Sequence, residues 1–277
     1  MPELPEVETI GNRLRSGTED HPSLLEREIT DVSLYWERTL AMPSADEFKQ
    51  KVCGQLIKDI WRRGKYLVFT LSVDSLLVHL RMSGDLWVEQ TSLPIAPHHR
   101  LVLELGPNLR LAFNDTRKFG RVWFTPDPAL ILNNLGPEPL SDILTAADFH
   151  QRLLSYRRQL KPLLLDQHFL AGMGNIYTDE ALHLSRLHPL TPSNTLTFER
   201  AEQLLMNIRQ VLSDGIRRNG TSIDWVYRGG DYQNQLRVYH RTGEPCSRCG
   251  TQIERILVGG RSTHICPKCQ SRSAYQD

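Results

Sequence analysis

The sequence predicts an α+β protein: an N-terminal β-sandwich opened by one helix, then a helical stretch, then a small C-terminal zinc finger. Three observations carry this. Short β-rich runs separated by Gly, Pro, Asn and Ser fill the first half of the chain, the apolar period turns helical after about residue 135, and four cysteines stand in two tight pairs near the end.

In chain order, Leu4, Val7, Ile10 and Leu14 recur at helical spacing over residues 3 to 16, with Pro5 tolerated in the first turn. The runs "EITDVSLYW", "LIKDIW", "KYLVFTL", "SLLVHLRM", "LVLELG", "LRLAFND" and "RVWFTP" read as antiparallel strands of a sandwich or barrel. Residues 133 to 142, "NNLGPEPLSD", are rich in turn formers and read as a linker. Beyond it "SDILTAADFHQRLLSYRRQL", "KPLLLDQHF", "NIYTDEALHLSRL", "TFERAEQLLMNIRQVLSDGIRRNG" and a short "SIDWVY" read as helices, and Gly220 suits a C-cap. The expected division is residues 1–134, 143–235 and 236–277.

A chain of 277 residues can bury a sizeable core in about two domains. No apolar run approaches the roughly 20 residues of a membrane span, and the first twenty-five residues lack a signal peptide's apolar region, so a cytoplasmic location is expected. Net charge is +1 overall, but residues 1–149 carry 16 Lys+Arg against 21 Asp+Glu, and residues 150–277 carry 17 against 11. Such asymmetry fits a polyanion partner for the basic half, and equally a solvated charged face.

Cys246, Cys249, Cys266 and Cys269 follow a C-x2-C-x16-C-x2-C pattern, while Cys53 stands alone. Two such knuckles deliver four thiolates to one tetrahedral zinc, and the intervening stretch fits a β-hairpin. Four thiolates close the coordination sphere, so one structural Zn2+ is expected. Arg261, in "GGRSTH" at the hairpin tip, has the planar fork that matches phosphate oxygens, or it is a solvated arginine.

The opening "MPELPE" has chemistry of its own. Loss of Met1, expected before a small residue, leaves Pro2 with a free secondary amine. An α-amino group has a pKa of about 8 against about 10.4 for lysine, so a useful fraction is nucleophilic near neutral pH. Its adduct with an aldehyde or sugar C1′ is an iminium that cannot lose its charge by losing a nitrogen-bound proton, and so acts as an electron sink. Glu3 is adjacent and Glu6 one turn on, which brings two carboxyl groups near the same centre. Acidic residues in a first turn are also ordinary partners of the helix dipole.

"MPELPEVETI", "RRGKYL", "LVHLRMSG", "NDTRKFG", "GMGNIYTDEAL" and the cysteine tail, taken in this order along nearly the whole chain, resemble the bacterial formamidopyrimidine-DNA glycosylase (8-oxoguanine DNA glycosylase/AP lyase) family. The resemblance implies a β-sandwich beginning with a catalytic helix, a helix-two-turn-helix domain and a zinc finger, with duplex DNA carrying oxidised bases or abasic sites bound between the domains of a monomer. It implies that Pro2 is the Schiff-base nucleophile, Glu3 the acid/base at the deoxyribose ring oxygen, and Glu6 a supporting carboxylate. By the same resemblance Lys65 serves phosphate binding and β-elimination, where its position alone reads as a strand-edge lysine, and Asn175 and Arg261 are expected to grip phosphates beside the lesion, Arg261 being linked also to δ-elimination.

A base reached only outside the stack leaves a hole that costs a few kcal/mol unless it is filled. By the resemblance Met82, Arg117 and Phe119 fill it, an apolar wedge beside a cation; by composition alone Met82 and Phe119 read as core. His79 and His98 fall at DNA-contacting positions, and Lys161 near the lesion pocket. Glu8 has no assigned chemistry and is expected to face solvent. Residues 224–234, "DWVYRGGDYQN", are shorter than the loop many members place over a flipped 8-oxoguanine. Two alternatives stay open: an endonuclease VIII-like preference for oxidised pyrimidines, and a non-catalytic damaged-DNA-binding protein.

Overall fold

The computed structural model describes residues 1–222 and 229–272. The chain divides into two units, Met1–Asn133 with Ser222–Gly230, and Asn134–Thr221 with Asp231–Asp277.

In the first unit α1 (Leu4–Ser16) starts with proline in its first turn and stops at Gly17, whose φ of +75° ends the helix. Leu4, Val7, Ile10 and Leu14, the predicted stripe, are all buried. There follow β1 (Asp31–Leu34), β2 (Leu40–Met42), α2 (Ala45–Val52), β3 (Ile57–Arg63), β4 (Tyr66–Leu71), β5 (Ser75–His79), β6 (Gly84–Gln90), β7 (His99–Glu104), β8 (Leu109–Asp115), β9 (Arg121–Thr125) and the short α3 (Ala129–Leu132). They build two sheets, in the orders β1-β7-β8-β6 and β2-β9-β5-β4-β3. One core joins them: Val32, Leu101, Leu103, Leu111 and Phe113 of the first sheet meet Ile60, Leu67, Phe69, Leu76, Val78 and Phe124 of the second. Val7, Ile10 and Leu14 of α1 complete it with Phe48 and Val52 of α2. Full burial of each such side chain is worth roughly 1.5–3 kcal/mol.

The sandwich is antiparallel except at one edge, where β2 runs parallel to β9. These strands lie far apart in sequence, so no hairpin fixes their relative direction. Four elements have no counterpart among the predicted ones, the four-residue α3 among them. The strand β2 is only three residues long. The helix α2 presents just Phe48 and Val52 to the core, too few for a visible period, and is started by Ser44 Oγ accepting from the Glu47 amide. The strand β6 opens on Gly-Asp, which reads as a turn; a Cβ on Gly84 would lie 2.5 Å from the Leu80 carbonyl oxygen, so glycine is what lets the strand begin there.

The second unit holds α4 (Ala146–Leu154), α5 (Leu160–Leu164), α6 (Asn175–Leu184), α7 (Phe198–Arg217) and the antiparallel hairpin β10 (Glu254–Val258) and β11 (Arg261–Ile265). The helix expected over 141–160 is confined to α4. A capping box between Thr145 and Asp148 starts it, and after Leu154 the chain bridges Gln159 to Pro192, with Ser193 donating to the Arg158 and Tyr156 carbonyls. α7 ends on Asn219 (φ +57°) and Gly220 (φ +77°), whose amide reaches back 2.8 Å to the Gly215 carbonyl, a Schellman-type closure. The cysteine tail, expected as a domain of its own, lies within this unit. The expected helix over "SIDWVY" lies, apart from Ser222, outside the described residues, as do residues 224–228 of the short loop.

Candidate active site and DNA-contacting residues

Pro2 is buried, and Glu3, at 2% exposure, is the N-cap of α1. The two glutamates form a reciprocal capping box: the Glu3 carboxylate accepts from the Glu6 amide, and Glu6 Oε2 accepts from the Glu3 amide at 2.8 Å. Glu6 thereby fixes the backbone of the residue next to Pro2, and the local sequence spacing explains why.

Lys65 sits in the two-residue loop joining β3 to β4, whose last and first residues, Arg63 and Tyr66, pair directly. Gly64 takes a φ of +58°, as the first central position of a primed hairpin loop requires. Lys65 itself is 5% exposed, so the structure departs from a solvated strand-edge lysine. The adjoining Arg62 donates from Nη1 to the Gly64 carbonyl at 2.9 Å and from Nε to Glu8 Oε2 at 2.7 Å. Glu8 does not simply face solvent: through Arg62 it ties the start of α1 to the loop that bears Lys65.

His79 is the last residue of β5, paired across the sheet with Tyr66, whose ring meets its edge at 4.7 Å. Burial above all, then the charges of Arg81 and Lys65, push its pKa down to about 3. Its Nδ1 accepts the Arg81 amide at 3.0 Å, so the neutral ring carries its proton on Nε2, ready to donate. His98 is exposed, its Nδ1 3.3 Å from Arg100 Nη2.

Met82 lies in the turn between β5 and β6, and Arg117 and Phe119 in the turn between β8 and β9. Met82 is 42% and Phe119 47% exposed, contrary to a core reading, and the Arg117 guanidinium stands 4.9 Å over the Phe119 ring.

In the second unit, Gly259 and Gly260, both with positive φ, form the two-residue loop that presents exposed Arg261 at the start of β11. The next residue is gripped from below, Ser262 O accepting from Asn175 Nδ2 and from Lys161 Nζ, each at 3.0 Å. Lys161 is fully buried, 2.6 Å from the equally buried Asp179. Lys161, expected near the lesion pocket, has no exposed surface here; its ammonium is held by Asp179 and donates to the hairpin that bears Arg261. Asp179 also accepts the His264 amide at 2.9 Å.

Sequence reasoning missed Asp179 and its neighbour Glu180. Glu180 accepts the amides of Arg237, Val238 and Tyr239 at 2.8–2.9 Å, and burial pushes its carboxyl up against their pull. Acidic residues inside a helix run carry no mark of burial, which only the packing partner supplies.

The four cysteine Sγ atoms lie within 4.8 Å of one another. Individual separations of 3.4, 3.5 and 4.0 Å bracket the roughly 3.8 Å edge of a Zn–thiolate tetrahedron built on 2.3 Å bonds. The set fits one zinc with no open position. His183 Nε2, 3.4 Å from Cys246 Sγ, orients that sulfur from α6. No other cluster of metal-ligating side chains occurs among the described residues.

A glutamate-capped amino terminus on a β-sandwich, with a helical unit and a four-cysteine finger, defines the class as a zinc-finger DNA glycosylase. Family models agree along the chain: the formamidopyrimidine-DNA glycosylase N-terminal domain matches residues 1–122, that enzyme's H2TH domain residues 135–226, and the zinc finger found in FPG and IleRS residues 243–272. The formamidopyrimidine-DNA glycosylase of Chloroflexus aggregans is 45% identical over 98% of both chains, and that of Protochlamydia amoebophila 41% identical over 98% of this chain and 100% of its own. Among solved structures, Lactococcus lactis Fpg (MutM) with Fapy-dG containing DNA superposes with a TM-score of 0.90 at 34% identity, as does MutM with carbocyclic 8-oxo-G DNA; each covers 98% of this chain and 100% of its own. The chain belongs to the formamidopyrimidine-DNA glycosylase family. Among the described residues no helix is long and apolar enough to cross a membrane.

Proposed function

We propose that this protein is a bifunctional DNA glycosylase/AP lyase that excises oxidised purines, 8-oxoguanine and formamidopyrimidines, from duplex DNA and then nicks the strand. The carrying observation is the capped amino terminus, in which Glu6 fixes the backbone of Glu3 beside buried Pro2. The Pro2 nitrogen, freed by loss of Met1, attacks C1′; the base leaves with the glycosidic electron pair. Glu3 protonates the ring oxygen as the C1′–O bond opens, and the nitrogen loses its proton as it attacks, leaving a C1′ iminium. Loss of a C2′ proton then expels the 3′ phosphate, and loss of the C4′ proton expels the 5′ phosphate.

Lys65 serves the elimination steps and the flanking phosphate. Neutral His79 donates from Nε2 to DNA, and exposed His98 adds a peripheral contact. Asn175 and Arg261 hold phosphates, with Arg261 assisting the δ step. Met82, Arg117 and Phe119 fill the hole the base leaves. The site of action is the cytoplasm, where the nucleoid is.

Borohydride reduces an iminium to a stable amine and so traps the enzyme on DNA. With duplexes carrying 8-oxoguanine, thymine glycol or an abasic site, we expect a covalent complex mapping to Pro2 and faster trapping on 8-oxoguanine. No adduct on the abasic duplex refutes the lyase reading. Faster trapping on thymine glycol replaces the substrate by an oxidised pyrimidine, and binding without cleavage leaves a damage-binding protein.

A further inference from the structure

The two turns bearing Met82 and Arg117–Phe119 are locked together by a single carboxylate. Asp115, the last residue of β8, is 1% exposed. Its Oδ1 accepts from the Ser83 hydroxyl across the two turns and from the Arg117 amide at 3.1 Å; its Oδ2 accepts from the Gly120 amide at 2.7 Å. Ser83 Oγ also accepts the Arg117 amide at 3.1 Å, and Arg100 Nε fixes the Asp115 carbonyl at 2.7 Å. Gly120 must lack a side chain, since a Cβ there would lie 2.2 Å from the Phe113 ring and 3.1 Å from the carboxylate. Between Arg117 and Phe119, Lys118 adopts a φ of +60° and rests its ammonium 4.0 Å over the Trp36 ring.

We infer that Asp115 and Ser83, with Trp36 beneath Lys118, are positioning residues that make Met82, Arg117 and Phe119 one preorganised wedge. This rests on the reading that those three side chains fill the vacated stack. A wedge held in its inserted shape spends no binding energy on ordering two turns at the moment the base leaves. The clasp therefore acts on extrusion of a paired lesion and leaves the sugar chemistry alone.

The test compares single-turnover excision of 8-oxoguanine paired in an intact duplex with excision of the same lesion placed opposite a one-nucleotide gap, where no partner base is orphaned. S83A removes only the hydroxyl link between the turns. D115N aims an amide N–H at a backbone N–H and breaks the clasp more fully. We expect about tenfold slower excision in the intact duplex for S83A, more for D115N, and gap-substrate rates within about twofold of the parent. M82A and F119A test the wedge itself by the same comparison. If they show no duplex-selective loss, the underlying reading fails. If they do, but S83A loses equally on both substrates or on neither, the clasp is refuted. The S83A/M82A double variant should lose less than the product of the single losses, since both act through one body; independent losses also overturn the proposal.

Discussion

Two ion pairs in this protein do the same local task in different surroundings. Arg62, paired with Glu8, donates to the Gly64 carbonyl and so sets the loop of Lys65; Lys161, paired with Asp179, donates to the Ser262 carbonyl and so sets the hairpin of Arg261. The first pair keeps 9% and 27% side-chain exposure on the flank of a large apolar core; the second is wholly buried beneath a finger whose own buried cluster is Val238, Cys246, Ile253 and Cys266. Where apolar burial is ample, an ion pair refines the position of a loop. Where it is scarce, a metal and a dry ion pair carry the structure, and losing either is severe.

The largest effect should come from the metal. Structural zinc contributes about 10–16 kcal/mol to folding of isolated finger peptides at neutral pH, and the four-residue cluster here cannot replace that. Chelation should release the β10–β11 hairpin, abolish specific DNA binding, and leave the β-sandwich transition unmoved in a thermal melt. If zinc-free protein retains its affinity for lesion DNA, Arg261 has no part in binding.

Next comes K161M, which keeps the stem and removes the charge. Asp179 then retains the His264 amide but loses its ammonium, and breaking a buried pair on one side costs about 3–5 kcal/mol. Urea denaturation should report that loss in the second unit. K161M/D179N, which removes both charges, should regain part of it. A single variant as stable as the parent would place Lys161 among ordinary solvated residues.

What the sequence disclosed follows the range of the forces involved. The stripe of α1, the strand runs and the cysteine pairs are local patterns that propensity and ligand spacing impose on neighbouring residues. The Gly64 and Gly259–Gly260 turns announce themselves in the same way. The clasp at Asp115, the burial of Lys161, Asp179 and Glu180, and the Glu8–Arg62 pair join residues as much as 58 positions apart, and a charged residue looks alike in sequence whether it meets water or a partner. Met82 and Phe119 invert the usual inference, being apolar side chains held outward, and only their resemblance to a known motif marked them.

The smallest effect is expected at Glu8. Its carboxylate is partly hydrated, so solvent screens the attraction to Arg62, and such pairs contribute about 1 kcal/mol or less. E8Q leaves a side-chain oxygen able to accept from Arg62 Nε, so the Gly64 carbonyl keeps its donor and stability should fall by less than about 1 kcal/mol. E8A removes the acceptor altogether and loosens the Lys65 loop. In E8A the strand-cleavage step on a preformed abasic site should slow more than base excision does, because elimination is the role proposed for Lys65. Equal slowing of both steps would mean that Glu8 steadies α1 as a whole and that the path through Arg62 to Gly64 carries no special weight.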